Sequence, residues 1–263
     1  MGERDAGLDK PLVSIIITTY NYKQYIEKAI NSALAQNVSK EIIVIDDCST
    51  DETDEYLRMR YSKTLIKYVK NPVNLGVAKS RNKGVLLAKG KYIAFLDADD
   101  RWKPDKLIKQ LELLEKENGV LSFTGRLLEN QLGQVRGILH VDSLVKYRGL
   151  LYYNQITCSS VVLLKKVALE FPMEYDEFHE DYLNWLKILR KYKCAYGIDE
   201  PLVIYHMSDG GKSRNKLKSI AMTYNTHRCM GRMRVASLWY TMCHLINASL
   251  NLLSHKGEIN GKN

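Results

Sequence analysis

Residues 92–100 read Tyr-Ile-Ala-Phe-Leu-Asp-Ala-Asp-Asp, a short apolar run that stops abruptly in three carboxylates. Gly90 stands ahead of it and Arg101, Trp102 and Pro104 follow, so the run reads as a buried strand. A strand of this kind belongs in a sheet covered by helices on both faces. In such open sheets, ligands gather beyond the carboxyl ends of the strands, where Asp97, Asp99 and Asp100 fall. Carboxylates packed this closely repel one another unless a cation lies between them. Hard oxygen donors suit Mg²⁺ or Mn²⁺, and such ions usually bring a phosphate with them. The competing reading is an acidic turn that caps the helix begun by Pro104.

The chain upstream supplies the rest of that sheet. Residues 12–19, Leu-Val-Ser-Ile-Ile-Ile-Thr-Thr, predict a central strand buried on both faces. Asn21 and Gln24 have the spacing of a capping box, and apolar residues then recur at helical intervals as far as Leu34. Residues 41–45 predict a second strand ending in Asp46-Asp47, with Ser49 and Glu52 placed to cap the next helix. Leu65 to Val69 predicts a third strand, and Val77 to Ala88 a helix that Gly90 stops. This alternation predicts an α/β fold with a doubly wound, mostly parallel sheet. Further on, Pro104 to Asn118 predicts an amphipathic helix, and residues 120–123 and 159–164 predict strands. Residues 125–150 read as an irregular excursion. Glu180 opens another helix, Pro201 to Tyr205 reads as an edge strand, and the remainder is largely helical.

With 263 residues, 45% of them hydrophobic, the chain can bury one large domain or one domain with an appendage. Five cysteines without a CxxC pair argue against a disulfide framework and against structural zinc, and fit a reducing compartment. No apolar run opens the chain, so no secretory signal is expected, and residues 1–10 read as a loose polar tail. The net charge of +9 is uneven: residues 212–263 hold nine Lys or Arg and a single acid, Glu258. The tail therefore carries the basic surface, while the body is close to neutral. Nothing in it interleaves aromatics with basic residues as a base-stacking platform would, so nucleic acid is excluded and anionic lipid is the expected partner.

Three strands thus end in polar clusters that one sheet could bring together: Thr18-Thr19-Tyr20-Asn21, Asp46-Asp47 and Asp97-Ala98-Asp99-Asp100. A uracil ring offers an N3–H donor and a flat face, for which an acceptor such as Asp47 and a ring such as Tyr20 are suited. No GxGxxG follows the first strand, which argues against a dehydrogenase. Gly210-Gly211-Lys212-Ser213 imitates a phosphate loop, but the required first glycine would fall at His206. A nucleotidyltransferase would want a Gly- and Arg-rich loop after its first strand, where Thr19-Tyr20-Asn21-Tyr22 stands. A binding module without catalysis would take the same ligand but need no base.

The succession VSIIITTYN, EIIVIDDCSTDET, NLGVAKSRNKG, GKYIAFLDADD and HEDYLNWL resembles the inverting family 2 glycosyltransferases of GT-A fold, over roughly residues 11–206. The resemblance implies a catalytic domain over residues 11–215 and a nucleotide-sugar donor, usually a UDP-sugar, with Mn²⁺ or Mg²⁺. It implies that Thr18 and Tyr20 line the uridine pocket and that Asp47 accepts from the uracil. Asp97, Ala98 and Asp99 become the DxD motif, with Asp97 toward the donor and Asp99 on the metal, and Asp100 next to them. Arg81 matches a donor-side basic position. Asp181 falls where the family keeps its catalytic base, with Glu180 as its rival and Asp176 and Glu177 as weaker ones. His206 is a candidate for metal or diphosphate, and the basic loop after it for a lid.

An inverting transfer needs a base on the acceptor side and something to neutralise the departing diphosphate, and these roles meet both needs. Tyr152, Tyr153, Thr157 and Ser159 are candidates for an acceptor cleft, whereas Trp102 and Trp185 read as packing. No QxxRW occurs, so the processive synthases of the family are a poor match. The one apolar stretch, Ser237 to Leu253, is 17 residues long, short of a span, and is interrupted by His244, Asn247, Ser249 and Asn251. With Arg228, Arg232 and Arg234 ahead of it, an interfacial helix within a basic helical extension, residues 216–263, is the economical reading. Its alternative is a helix packed on the domain or in a homo-oligomer interface. The expectation is transfer of one sugar to a hydroxyl of a glycan acceptor, lipid-linked and used in surface-polysaccharide assembly. The enzyme would work in the cytoplasm, peripheral on the inner face of the cell membrane through residues 212–256.

Overall fold

A computed structural model describes residues 10–61, 66–207 and 216–260. The N-terminal tail and the basic loop after Met207 lie outside the described residues. The first half alternates as the sequence predicts: β1 (Val13–Thr19), α1 (Lys23–Leu34), β2 (Lys40–Asp46), α2 (Thr53–Tyr61), β3 (Ile66–Lys70), α3 (Val77–Leu87) and β4 (Tyr92–Asp97). After a two-residue β5 (Arg101–Trp102) come α4 (Lys106–Lys116), β6 (Leu121–Glu129), β7 (Val135–Leu139), β8 (Leu144–Lys146) and α5 (Tyr147–Tyr152). Then follow β9 (Val162–Leu164), α6 (Lys165–Glu170), α7 (Glu180–Tyr192), β10 (Cys194–His206), α8 (Lys216–Cys229) and α9 (Arg234–Asn260).

The strands form one sheet in the order β3-β2-β1-β4-β9-β6-β10-β5, with β7 on β6 and β8 on β10. The first four are parallel, as the helical crossovers between them require. Every residue of β1 is buried, because helices cover both faces of the strand. On one face Gly84 of α3 lies so close to Ile16 that an added Cβ would meet its Cγ2 at 2.5 Å. Register decides where the chemistry goes. Thr18 of β1 pairs with Asp97 of β4, and Thr19 pairs with Asp46 of β2, so three polar strand ends share one rim.

Several local expectations are corrected. No side chain caps α1. Asn21 takes a left-handed φ of 57° and turns its Oδ1 to accept from the Thr50 backbone N–H at 2.8 Å. At α2, Asp51 accepts from the Thr53 N–H and hydroxyl, while Ser49 accepts from the Asn21 N–H. Residues 194–206 form one 13-residue interior strand, not an edge: β10 runs parallel to β6 and pairs on its other side with β5 and β8. Pro201 fits there because it sits at a register shift, where its missing N–H breaks no ladder. The irregular excursion is likewise part of the sheet, through β7 and β8.

The C-terminal helices join the body's own core. Met230 belongs to the main apolar cluster with Trp185 and Leu186, and Tyr240 packs against it. Among the described residues no helix is long and apolar enough to cross a membrane.

Candidate active site

The shared rim opens into a cleft of about 830 Å³, within the range of small-molecule sites. Thr18, Thr19, Tyr20 and Asp47 line one end, followed by Arg81, Asp97, Ala98, Asp99 and Asp100. Glu180, Asp181, His179, Asn154 and Thr157 continue the wall, and Ser219 and His244 close it from the C-terminal helices. The structure therefore brings together Thr18, Tyr20, Asp47, Arg81, the acidic loop, Thr157, Ser159, Glu180 and Asp181, and leaves out Tyr152, Tyr153, Asp176, Glu177 and His206. A smaller hollow of about 280 Å³ between α2 and β3 offers one charged group, Arg58.

Asp46 and Asp47 divide their work. Asp46 accepts from the Tyr68 hydroxyl at 2.7 Å and the Ser49 N–H at 2.8 Å, and is fully buried. Asp47 accepts from Asn71 Nδ2 at 2.8 Å and from the N–H groups of Leu75 and Gly76 at 2.9 and 2.8 Å. Those bonds fix its carboxylate at the cleft wall beside Tyr20.

Arg81 is buried and fully engaged. Its Nη2 donates to Asp97 Oδ1 at 2.6 Å and its Nη1 to Glu180 Oε1 at 2.9 Å. Burial opposes its charge, but the acidic groups around it, Asp97 foremost, hold its pKa well above the ordinary arginine value. Both terminal nitrogens are committed, so Arg81 clamps two acids instead of reaching freely for a donor. The backbone N–H of Asp97 donates to Ser159 Oγ at 3.1 Å, and the Trp102 indole N–H donates to Ser159 O at 2.8 Å. The Nζ of buried Lys106 lies 4.1 Å from the centre of the Trp102 ring, confirming Trp102 as packing beneath the acidic loop.

Burial, and then Asp97, pushes the Asp99 carboxyl up to about 7. Burial, and then Asp99 and Asp97, hold Asp100 well above the carboxylate range. Acids driven toward protonation by burial and by mutual repulsion are suited to a divalent cation, which reverses that balance. Among the described residues no three His, Cys, Asp or Glu converge as a closed metal cage. One or two carboxylates completed by phosphate oxygens is the arrangement that Mg²⁺ and related ions accept.

His206 takes no place in this arrangement. Its neighbours in the chain, Tyr205 and Met207, line the cleft, while its own ring packs on Tyr25 with centroids 4.6 Å apart. Its backbone N–H donates to Asp100 Oδ1 at 3.0 Å, so its contribution is to brace the acidic loop. A metal-binding role for His206 finds no support here, because alternation along the strand turns its ring to the other face.

The acids at and before the start of α7 are also sorted. Glu180 is occupied by Arg81. Asp176 accepts from the Ala78 N–H at 2.9 Å and so caps the start of α3 across 98 positions of sequence. Gly76, at φ 87°, leaves the room: an added Cβ would stand 2.2 Å from Asp176 Oδ2. Glu177 is exposed and outside the cleft wall. Asp181 lines the cleft, and its Oδ1 accepts from the Tyr182 N–H at 2.7 Å. Burial, and then Glu180, raise its pKa above the ordinary carboxylate value, with Arg81 and His179 opposing.

Tyr152 and Tyr153 leave the cleft to pack on α9, against Tyr240 and His244. In their place the wall includes His179, Ser219 and His244, which sequence reasoning missed. His179 stood next to Glu180-Asp181 and could have been found. Nothing in the spacing of α8 and α9 announced the other two.

Comparison with known proteins agrees with this architecture. The family model described as glycosyl transferase family 2 matches residues 14–152. The putative teichuronic acid biosynthesis glycosyltransferase TuaG of Bacillus subtilis (strain 168) is 36% identical over 244 residues, covering 91% of this chain and 96% of its own. The UDP-Glc:alpha-D-GlcNAc-diphosphoundecaprenol beta-1,3-glucosyltransferase WfaP of Escherichia coli is 34% identical over 233 residues, covering 87% and 92%. Among solved structures, S. aureus TarS 1-349 in complex with UDP-GlcNAc superposes with a TM-score of 0.67 at 17% identity, covering 87% of this chain and 70% of that one. The mannosyltransferase PcManGT of Pyrobaculum calidifontis, in complex with GDP-Man and Mn²⁺, gives 0.69 at 16% identity, covering 93% and 74%. At those identities the structures speak for the fold alone.

Proposed function

The chain belongs to glycosyl transferase family 2, and from that footing we propose that it moves one sugar, with inversion, from a UDP-sugar to a hydroxyl of a lipid-linked glycan. The observation that carries this reading is the cleft itself, whose wall holds Asp47, the Asp97–Asp99 pair and Asp181 together. The relatives' names support the substrates: WfaP is named for a UDP-Glc donor and a diphosphoundecaprenol acceptor.

Tyr20 covers the face of the uracil, Asp47 accepts from its N3–H, and Thr18 lines the uridine pocket. Asp97 and Ala98 border the ribose, and Asp97 is held in orientation by Arg81. Asp99 would hold Mn²⁺ or Mg²⁺, which when bound neutralises charge on the leaving diphosphate. Asp181 takes the proton from the acceptor hydroxyl as its oxygen bonds to the anomeric carbon. The bond from that carbon to the diphosphate oxygen breaks on the opposite face, and UDP departs with the electron pair. Residues 11–215 form the catalytic body in this reading and residues 216–263 a basic helical extension. A lipid-linked acceptor places the enzyme in the cytoplasm, at the inner face of the cell membrane.

The test is hydrolysis and binding of a panel of nucleotide sugars with Mn²⁺, with Mg²⁺ and with EDTA. Asp99→Ala should lose metal-dependent donor binding, and Asp181→Asn should bind donor without turnover. If no nucleotide sugar binds even with metal, the acidic loop is a turn and this reading fails.

A further inference from the structure

Helix α9 is amphipathic in the opposite sense to a helix packed on a core. Ser237, Tyr240, Thr241, His244 and Asn247 share the face turned to the domain. Ser237 and Thr241 are buried, the His244 ring meets Tyr153 and Tyr182, and Asn247 Nδ2 donates to the Tyr152 carbonyl. The outward face is apolar: Leu238, Trp239, Met242, Leu245, Ile246 and Leu250 are all exposed. Val235 extends it at the start of the helix, more than three-quarters exposed. A continuous apolar stripe on a soluble surface marks a docking site, and single exposed residues do not.

We propose that this outward face of α9 docks on a bilayer of anionic phospholipid, with the helix lying in the interfacial plane. Charge selects that occupant. Arg228 and Arg234 are exposed at the N-terminal end of the stripe, and residues 212–263 hold nine Lys or Arg against one acid. A second copy meeting this face through a two-fold axis would set that basic segment against itself. An anionic surface complements it, and an amphipathic helix with a basic flank and a tryptophan is suited to the headgroup boundary. The same helix puts His244 into the cleft wall, so α9 stands between bilayer and cleft, with one face to each. In naming where the acceptor's carrier lies, this inference rests on the lipid-linked acceptor proposed above, and its test separates the two.

Trp239 supplies the readout, because Trp102 and Trp185 are buried. Vesicles of phosphatidylglycerol and phosphatidylcholine should shift its emission to the blue and carry the protein in flotation. Salt should weaken both effects, and vesicles of phosphatidylcholine alone should give little of either. The double variant Leu238→Ser/Ile246→Ser should bind the anionic vesicles more weakly by roughly tenfold or more per residue replaced. Its hydrolysis of UDP-sugar in vesicle-free buffer should match the wild type. Absence of a blue shift and of flotation with anionic vesicles overturns the proposal. So does light scattering that finds a wild-type dimer, monomeric in the double variant, with vesicle binding unchanged. If the protein floats but hydrolyses no nucleotide sugar, the docking surface stands and the catalytic reading falls.

Discussion

Nη2 of Arg81 lies 2.6 Å from Oδ1 of Asp97, which joins the third helix of the chain to the end of its fourth strand. Through its other arm Arg81 holds Glu180 at 2.9 Å, so one buried cation links the two sides of the cleft. Replacing it with methionine takes from buried Glu180 the cation that faces it at 2.9 Å. Loss of one member of a buried ion pair costs about 3–5 kcal/mol. Arg81→Met should therefore unfold well below the wild-type temperature in a thermal melt. At temperatures where it is still folded, its donor affinity should also fall, because Asp97 loses its orientation.

Glu180 and Asp181 are adjacent but should separate cleanly in kinetics. Glu180→Gln keeps a hydrogen-bonding side chain toward Arg81, so it should lower stability while leaving turnover within roughly tenfold of wild type. Asp181→Asn should melt close to wild type and lose about 10²–10⁴ in kcat, the usual contribution of a positioned base. Steady-state kinetics and melting of the two variants, read side by side, check both statements. Equal loss of turnover in both would leave the base unassigned to Asp181.

The pH profile should carry the mark of the Asp181 environment. Burial and Glu180 raise its pKa above the ordinary value of 3.8. A base works only when deprotonated, so kcat/KM should be full above that raised value and fall as the pH drops through it. The acid limb should therefore lie above 3.8, and should move toward lower pH in Glu180→Gln, where a like charge has gone.

A second pH effect concerns the C-terminal helices. Burial lowers both His227 and His244 to about 4, with Arg232 and other histidines adding to it. Tyr182, Tyr240 and Tyr153 surround their rings. Both are neutral in the folded and the unfolded chain above 6.5, where the packing of α8 and α9 is at full strength. Below 6.5 the unfolded form gains protons first, so stability declines as the pH falls from about 6.5 toward about 4. Hydrogen exchange across residues 216–250 should rise over that window before the sheet opens, and His227→Phe should reduce the rise.

Much of the rim was legible because it is local. β1, β2 and β4 are apolar runs with punctuation, and parallel register carries their polar ends, Thr18, Asp47 and Asp97, to one rim without further information. Helix starts were less legible. Asn21 has the composition of a cap but is spent on Thr50 across 29 positions, and Asp51 does the capping that Ser49 was expected to do. Pro201 suggested an edge strand because proline cannot serve an interior ladder, yet a bulge absorbs it. His206 lay between two cleft-facing residues, and only the phase of β10 shows that its ring turns away. Ser219 and His244 were invisible, since their place depends on how α8 and α9 lie on the domain and not on any spacing.

Asp176 caps α3 from 98 positions downstream, and Glu180 reaches Arg81 across 99. A nascent chain that has emerged only as far as β6 already owns the strands that end in Asp47 and Asp97. It still lacks both the acid that caps α3 and the second of the two that hold Arg81. The rim is thus unfinished until the chain as far as Glu180 has been made.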